Sequence, residues 1–501
     1  MASPSIPRHR TALSRSDLSR PLRLAIEDEL VQPSASLFDY GCGRGADVKL
    51  LRSDGFVCDG WDPKYFPDTP HRQADVVNLG YVINVIEDPH ERSAALRSAW
   101  QLAQRALVVA GRLTIESRND AQVPYADGIL TKRNTFQKFF EQHELRRWID
   151  ETLGVSSVPA APGIFYVFRE EDARQSFLAS RYRRLTAAPR LRRSDILFET
   201  HRELLDPLIE FIARRGRLPH ESELEVSSRI VKAVGSLRTA FAIIRRATGD
   251  DDWQRVRDEC SQDLLVYLAL ARFDGRPPFS RLAHDLRLDV RAFFGTYRKA
   301  CAAADTFLFS AGDMHLIDEA CRSSGVGKLT PSALYLHTSA LPLLPAVLRV
   351  YEGCARSYLG AVDAANVVKL HRSEPRISYL AYPSFETDPH PALLASLSLS
   401  LRDFRVKYLT YTDSENPPIL HRKETFVAPG HPLRAKFERL TQQEERWGLF
   451  EDIRNIGTRL GWESELKKRG VEFSGSRLVR SVTSATRGAE MRTRSGRRSD
   501  S

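Results

Sequence analysis

The sequence holds no run of about 18 apolar residues, the length a bilayer-spanning helix needs. Its first stretch, Met1 to Arg20, is polar and arginine-containing, without the apolar core of a secretory signal. Six cysteines at positions 42, 58, 260, 301, 321 and 354 show no paired metal-ligand spacing. They read as small buried hydrophobes in a reduced, cytoplasmic protein. The histidines form neither HxH nor HExxH, so no metal is expected. Internal repeats and single-residue tracts are missing. Lysine is scarce, 13 of the 74 basic residues against 61 arginines, a skew that genomic base composition explains as well as phosphate recognition does.

What is present is enough apolar material for a folded chain of two or three domains: 501 residues, 42% hydrophobic and 28% charged. The net charge of +10 favours an anionic partner. Half of it sits in the last stretch, Ser474 to Ser501, where seven arginines against Glu490 and Asp500 give +5. The residue pattern predicts an N-terminal extension (1–35), an α/β domain (36–175), a helical domain (176–368), a mixed C-terminal domain (369–473) and a basic flexible tail (474–501). In the α/β domain, strand-like runs SLFDYG, FVCDGWD, DVVNLGYV, ALVVAGRLTI and GIFYVFR alternate with helical stretches Ala46–Ser53, Pro89–Leu102 and Thr135–Leu153. This alternation is that of a mostly parallel sheet with helices on its faces.

The sharpest local signal is FDYGCGRGAD. Asp39 ends an apolar strand, and Gly41, Gly43 and Gly45 lead straight into a helix. Alternate glycines permit a tight turn and close backbone approach to a nucleoside-containing ligand. The spacing is DxGxGxG rather than the GxGxxG of dinucleotide binders, which suits Asp39 to a positively charged or amino-bearing group rather than a pyrophosphate. Asp62 in CDGWDP follows about twenty residues later, where a carboxylate can accept ribose hydroxyls.

These motifs resemble those of class I S-adenosylmethionine-dependent methyltransferases. The resemblance implies a Rossmann-like fold with S-adenosyl-L-methionine as cofactor, Asp39 and the glycine turn around its methionine end, and Asp62 on its ribose. Asn78 and Gly80 of NLGY would edge the pocket, and Tyr81 and Asn84 would face the acceptor. Only twelve residues separate Asp62 from Asp75, too few for the family's usual third strand and its helices. The long polar loop after ALVVAGRLTI offers Glu116, Lys132 and Arg133 on the acceptor side, among Arg118, Asn119, Asp120, Tyr125 and Asp127. Further on, RYRRLTAAPRLRRS presents Arg190, Arg192 and Arg193 as phosphate contacts. ENPPILHRKE presents His421 as an acid or base beside Arg422 and Lys423.

Taken together, FDYGCGRGADVKLL, WDPKY, NLGYVINVIEDPHER, DGILTKRNTFQKFFEQ, SYLAYPSF, DPHP, ENPPILHRKE and LTQQEERWGLF resemble the DNA phosphorothioation-associated methyltransferase family, from about residue 36 to 465. That resemblance implies a place in bacterial DNA modification or anti-phage defence, with DNA or another nucleic acid and defence proteins as partners. Two functions are consistent with it: methyl transfer to nucleic acid or a nucleotide, and cofactor sensing by a DNA-binding regulator or assembly component.

Overall fold

The computed structural model describes residues 6–12, 15, 17–116, 123–183, 196–362, 364–474 and 477–481. The chain divides into two compact units, one of residues 1–308 and 353–361, the other of residues 309–352 and 362–501. Among the described residues no helix is long and apolar enough to cross a membrane.

The first unit begins with α1 (Arg20–Glu27), β1 (Ser36–Tyr40), α2 (Ala46–Ser53), β2 (Val57–Trp61), β3 (Ala74–Gly80), α3 (Pro89–Leu102) and β4 (Ala103–Ala110). A three-stranded hairpin region follows, β5 (Val123–Tyr125), β6 (Gly128–Leu130) and β7 (Phe136–Gln137), then α4 (Gln142–Leu153), β8 (Val158–Ala161), β9 (Ile164–Phe168) and α5 (Glu171–Ser180). The main sheet runs β2-β1-β3-β4-β9-β8. Its first four strands are parallel, while β9 is antiparallel to both β4 and β8. Such parallel strands are buried on both faces, and the sequence shows it: Val76, Val77, Leu79, Leu107, Val108 and Val109 are all fully buried. α1 and α5 contribute to the apolar layer on one face, with Leu22, Leu24, Ala25 and Phe177, and α3 and α4 to the other, with Leu96, Ala99, Leu145 and Ile149.

This is a Rossmann-like mixed α/β domain, followed by a mainly helical region and a mixed β-rich C-terminal region. Among the described residues no strand pairs outside β2. The segment from Asp62 to β3 forms only an isolated bridge between Asp62 and Phe66, as the short spacing to Asp75 requires.

One expected helix is corrected. Thr135–Leu153 does not form a single helix: Phe136–Gln137 is a strand, and α4 starts at Gln142. Glu141 and Glu144 form a reciprocal capping box that sets the start, because the first amides of a helix need acceptors.

The helical part of the unit comprises α6 (Ile196–Thr200), α7 (Arg202–Arg215), α8 (Ser227–Val234), α9 (Leu237–Thr248), α10 (Asp250–Leu270), α11 (His284–Phe294) and α12 (Tyr297–Ser310). Gly235 and Gly295, both at positive φ, end α8 and α11. A buried ion cluster ties the bundle together: Asp289 accepts from Arg215 at 2.7 Å and from Arg217 at 2.6 Å.

The second unit holds α13 (Met314–Ser323), β10 (Lys328–Leu329), β11 (Ala333–His337), the first part of α14 (Ala346–Leu359), β12 (Val367–His371), β13 (Arg376–Ala381), β14 (Ala395–Ser400) and β15 (Val406–Thr410). These strands form one antiparallel sheet in chain order. It ends with α15 (Arg434–Arg446), α16 (Arg459–Arg469) and the hairpin β16 (Val471–Ser474) and β17 (Arg477–Arg480). The expected boundary at 368/369 is therefore displaced, because β11 and β12 lie in register over five residue pairs, Ala333 opposite His371 to His337 opposite Val367. One face of the sheet is apolar, with Val368, Leu370, Ile377, Tyr379, Leu397 and Leu399 buried; Tyr379 donates from that face to Glu352 of α14 at 3.0 Å.

Candidate functional site

The glycine turn leaves β1 at its carboxyl end. Gly41, Gly43 and Gly45 all have positive φ, at 87°, 56° and 74°, the region that L side chains avoid. Space is also short: a Cβ on Gly41 would lie 2.4 Å from Val82 Cγ2. The amides of Gly41 and Cys42 both donate to the Trp61 carbonyl, which ties the turn to the end of β2.

Asp39, next to this turn, is 4% exposed and accepts from Asn78 Nδ2 at 2.7 Å across the β1–β3 ladder. Burial, with the nearby Asp47 charge, pushes its carboxyl up to about 7. Asn78 Oδ1 is buried with no hydrogen-bond partner among the described residues. A buried acid short of a counter-charge, beside an unused amide oxygen, makes a receptor for a cation or an N–H donor. These residues fit the ammonium-bearing end of S-adenosylmethionine.

Asp62 is organised differently from a free ribose acceptor. Its Oδ2 accepts from Gly43 N at 3.1 Å, and its Oδ1 from the amides of Lys64 and Tyr65, both at 2.9 Å. A carboxylate offers about four lone-pair positions, so three are occupied in holding the glycine turn against the 62–66 loop. Gly80 ends β3 beside Ala110, and a Cβ there would press on the Asn78 amide at 3.0 Å.

A cavity of about 510 Å³ opens beyond β3, with Tyr81, Asn84, Arg112, Glu116 and Gln137 on one side. Its other side comes from the N-terminal segment: Thr11, Arg15, Ser19 and Arg20. Asp47 draws that segment in, accepting from Ser19 N at 2.8 Å and pairing with Arg15 at 3.5 Å, while Arg8 bridges Glu87 and Glu91. Tyr81 sits at φ 61°, with its amide bonded to the Ala110 carbonyl. Asn84 is 2% exposed and donates to Gln137 Oε1 at 3.0 Å; its own Oδ1 has no partner among the described residues. Glu116 accepts from Leu113 N at 3.1 Å.

Sequence reasoning missed this N-terminal wall. The contacts to Asp47 span 28 residues or more and leave no local periodicity to read.

The structure thus gathers Asp39, Gly41, Gly43, Gly45, Asp62, Asn78 and Gly80 at one edge of the sheet, and places Tyr81, Asn84 and Glu116 around the adjoining cavity. Lys132 and Arg133 are exposed in the turn between β6 and β7. Arg190, Arg192 and Arg193, with Arg118, Asn119 and Asp120, lie outside the described residues.

His421, Arg422 and Lys423 belong to the second unit, where two of the three are corrected. Lys423 is 3% exposed and donates to the carbonyls of Phe385 and Asp388 at 2.7 and 2.5 Å, so it anchors a loop instead of meeting phosphate. His421 donates from Nε2 to the Ile456 carbonyl at 2.6 Å, and burial pulls its ring down to about 3. It is a neutral core imidazole, not an exposed base. Arg422 is half-buried, paired with Glu445 at 2.7 Å and lying over the Phe450 ring. Asn416 of the Asn-Pro-Pro run accepts from Leu460 N at 2.9 Å and so anchors the start of α16.

The His421 ring lies 4.8 Å from that of His390, tilted by 52°, and His390 Nε2 lies 2.6 Å from Glu444 Oε1. Burial raises the Glu444 acid to about 8 and lowers the His390 ring, so burial favours the neutral form of each. For Glu444 the folded form keeps a proton that the unfolded chain has lost above about pH 4.5, so this group's contribution to stability falls as pH rises to about 8, while His390, held neutral in the fold, gives the opposite slope below about 6.5. Glu444→Gln should raise the melting temperature at about pH 9 and change it little at about pH 4. Melting scans at the two pH values check this.

The strand order and the left-handed glycine turn after β1 define part of the first unit as a Rossmann-like α/β domain, consistent with the class I methyltransferase fold expected from the sequence. No family model matches the chain, and no curated protein matches it. Solved structures similar to it include 1,6-didemethyltoxoflavin-N1-methyltransferase from Burkholderia thailandensis (14% identity, 32% of this chain and 76% of that one, TM-score 0.23). Two more are the sugar N-methyltransferase KedS8 from Streptoalloteichus (14%, 31% and 88%, TM-score 0.25) and the amino pentose methyltransferase CalS10 from Micromonospora echinaspora (15%, 32% and 94%, TM-score 0.23).

Proposed function

We propose that the protein binds S-adenosyl-L-methionine in its first unit and methylates a nucleic acid or a nucleotide, in bacterial DNA modification or anti-phage defence. The observation that carries the cofactor reading is the buried Asp39 carboxylate, bonded to Asn78 and beside a turn of left-handed glycines. The family resemblance across residues 36 to 465 supports the nucleic-acid acceptor and the defence setting. S-adenosylmethionine would supply an activated methyl group on a sulfonium.

The chain's own residues provide position and proton handling. Asp39 and Asn78 hold the amino-bearing end; Asp62 keeps the glycine turn in shape and has one accepting position left for a ribose hydroxyl. Tyr81 and Asn84 bound the cavity where an acceptor must lie in line, and orientation of this kind supplies much of the rate in methyl transfer. Asn84 Oδ1, buried and unpaired, suits an acceptor N–H. Two carboxylates line this cavity, Asp17 and Glu116, and Glu116, on the sheet side, is the one we assign to take a proton when the acceptor must lose one.

The test is product mass spectrometry after incubating the full chain with methyl-labelled cofactor and DNA, phosphorothioate DNA, RNA or nucleotides. Label on one acceptor, lost in Asn84→Ala, supports methyl transfer. Cofactor binding with no labelled product from any acceptor, with companion proteins present, would replace it with the sensor reading.

A further inference from the structure

The second unit presents a groove that neither the cofactor site nor the sequence motifs explain. It lies on the open face of the sheet β10–β15 and encloses about 560 Å³. Strand register arranges its floor in rows. Tyr335, Lys369, Ser378, Ser398 and Lys407 form one file straight across five strands, each opposite the next. The next row toward one end holds Arg376 opposite Ser400, with His371 and Arg405 beside it; the row toward the other end holds Leu380, Ser396 and Leu409. Beyond Leu380 the groove ends in Tyr382, Tyr411 and Leu393.

The groove therefore has Arg376, Arg405 and Asp403 at one end, a hydroxyl floor flanked by Lys369 and Lys407 in the middle and aromatic rings at the other end. Arg376 pairs with Glu374 at 3.1 Å and Arg405 with Asp403 at 3.3 Å. Lys369 lies over the Tyr335 ring and, like Lys407, has no carboxylate partner among the described residues. His371 bonds through Nε2 to Ser378, which bonds on to Ser398 at 2.7 Å, so a line of hydroxyls runs along the floor. From Arg376 to Tyr382 is six residues, about 20 Å of strand. Across the file, four strand spacings from Tyr335 to Lys407 give about 19 Å.

Phosphates meet cations, sugars meet hydroxyls and bases stack on aromatic rings where single strands bind open sheets. A face about 20 Å long exceeds one nucleotide, and a flat, short-floored surface does not fit the ridges of a duplex. We propose that this sheet face binds a single-stranded segment of nucleic acid, with phosphates toward Lys369, Arg376, Arg405 and Lys407 and bases toward Tyr411. This rests on the reading of the acceptor as nucleic acid and supplies the surface that would hold it.

The experiment uses fluorescence anisotropy of a labelled mixed-sequence single-stranded oligonucleotide with the full chain, over a series of salt concentrations. The variants are Lys369→Glu/Lys407→Glu, the milder Lys369→Gln/Lys407→Gln, and Tyr411→Ala. Removing two phosphate contacts should weaken binding about tenfold or more and flatten the slope of log affinity against log salt by about 1.4. The Gln pair, which keeps the side-chain stems, should show the same flattening if the Glu pair fails to fold. Tyr411→Ala should weaken binding and leave the slope in place. The arginine-rich tail is the same in every variant, so the difference in slope belongs to the groove. Unchanged affinity in both lysine pairs, preference for duplex, equal competition by polyglutamate, or binding of a mononucleotide alone would each overturn the proposal. Cofactor titration of the same variants should match the parent, which keeps failure of the groove distinct from failure of the cofactor reading.

Discussion

Asp39→Asn should make the protein more stable near pH 8 while weakening its hold on S-adenosylmethionine. The Asp39 carboxyl, raised to about 7 by burial, is easier to keep protonated in the folded chain than in the unfolded one. At about pH 4 and below, both states carry the proton and no penalty exists. Between about pH 4 and about pH 7 the unfolded chain ionises first, so stability drops as pH rises; above that the loss is constant. An amide at this position removes the whole dependence. The melting temperature of the variant should therefore rise above the parent's across that window and stay above it. A hydrogen bond to a charged group contributes about 1.5–3 kcal/mol, so loss of the charge should weaken cofactor binding roughly 10- to 150-fold. The opposite signs matter. A purely structural Asp39 gives a stability change with no loss of affinity.

The second large effect concerns the hairpin region β5–β7, which carries Gln137 into the cavity wall. Arg92, with its side chain 3% exposed, donates to Asp127 at 2.7 and 3.0 Å and to the Ile86 carbonyl at 3.2 and 2.8 Å. The pair pins Asp127 of the β5–β6 turn against the loop after β3. Asp127→Ala leaves a buried guanidinium with one carbonyl, a class of change that costs about 3 kcal/mol or more. Arg92→Met/Asp127→Ala removes both charges and should recover most of that loss. Denaturant unfolding of the three proteins measures this, and hydrogen exchange should quicken over residues 123–137 in the single variant. A single variant as stable as the parent would show that the ion pair contributes nothing.

The cofactor half of the site is legible because its signals are local. Asp39 and the three glycines occupy seven consecutive positions, and the apolar runs of β1, β3, β4 and β9 are continuous, as strands buried on both faces must be. Asn78 was within reach for the same reason, since it follows from strand order. The acceptor side is legible only in part. Tyr81, Asn84 and Glu116 follow directly from strand ends, whereas Arg15, Ser19 and Arg20 arrive through the tertiary contact with Asp47.

In the C-terminal region, charge misleads. Lys423 and His421 belong to a dense polar run that reads as surface, yet backbone carbonyls of Phe385, Asp388 and Ile456 satisfy them in the interior. The sheet there carries a plain period-two signal in ASLSLS, with leucines inward and serines on the groove. The prolines, histidines and aromatics of the adjoining loops hide it. Short strands such as β5 to β7, three residues or fewer, leave no readable period at all.

The most direct measurement is calorimetric titration of the full chain with S-adenosylmethionine and its demethylated product, in the parent and in Asp39→Asn. The expected result is one saturable site per chain for both compounds, with affinity falling by at least about tenfold in the variant. No binding of either compound to the parent, or equal affinity in the two proteins, would contradict a cofactor site built on Asp39.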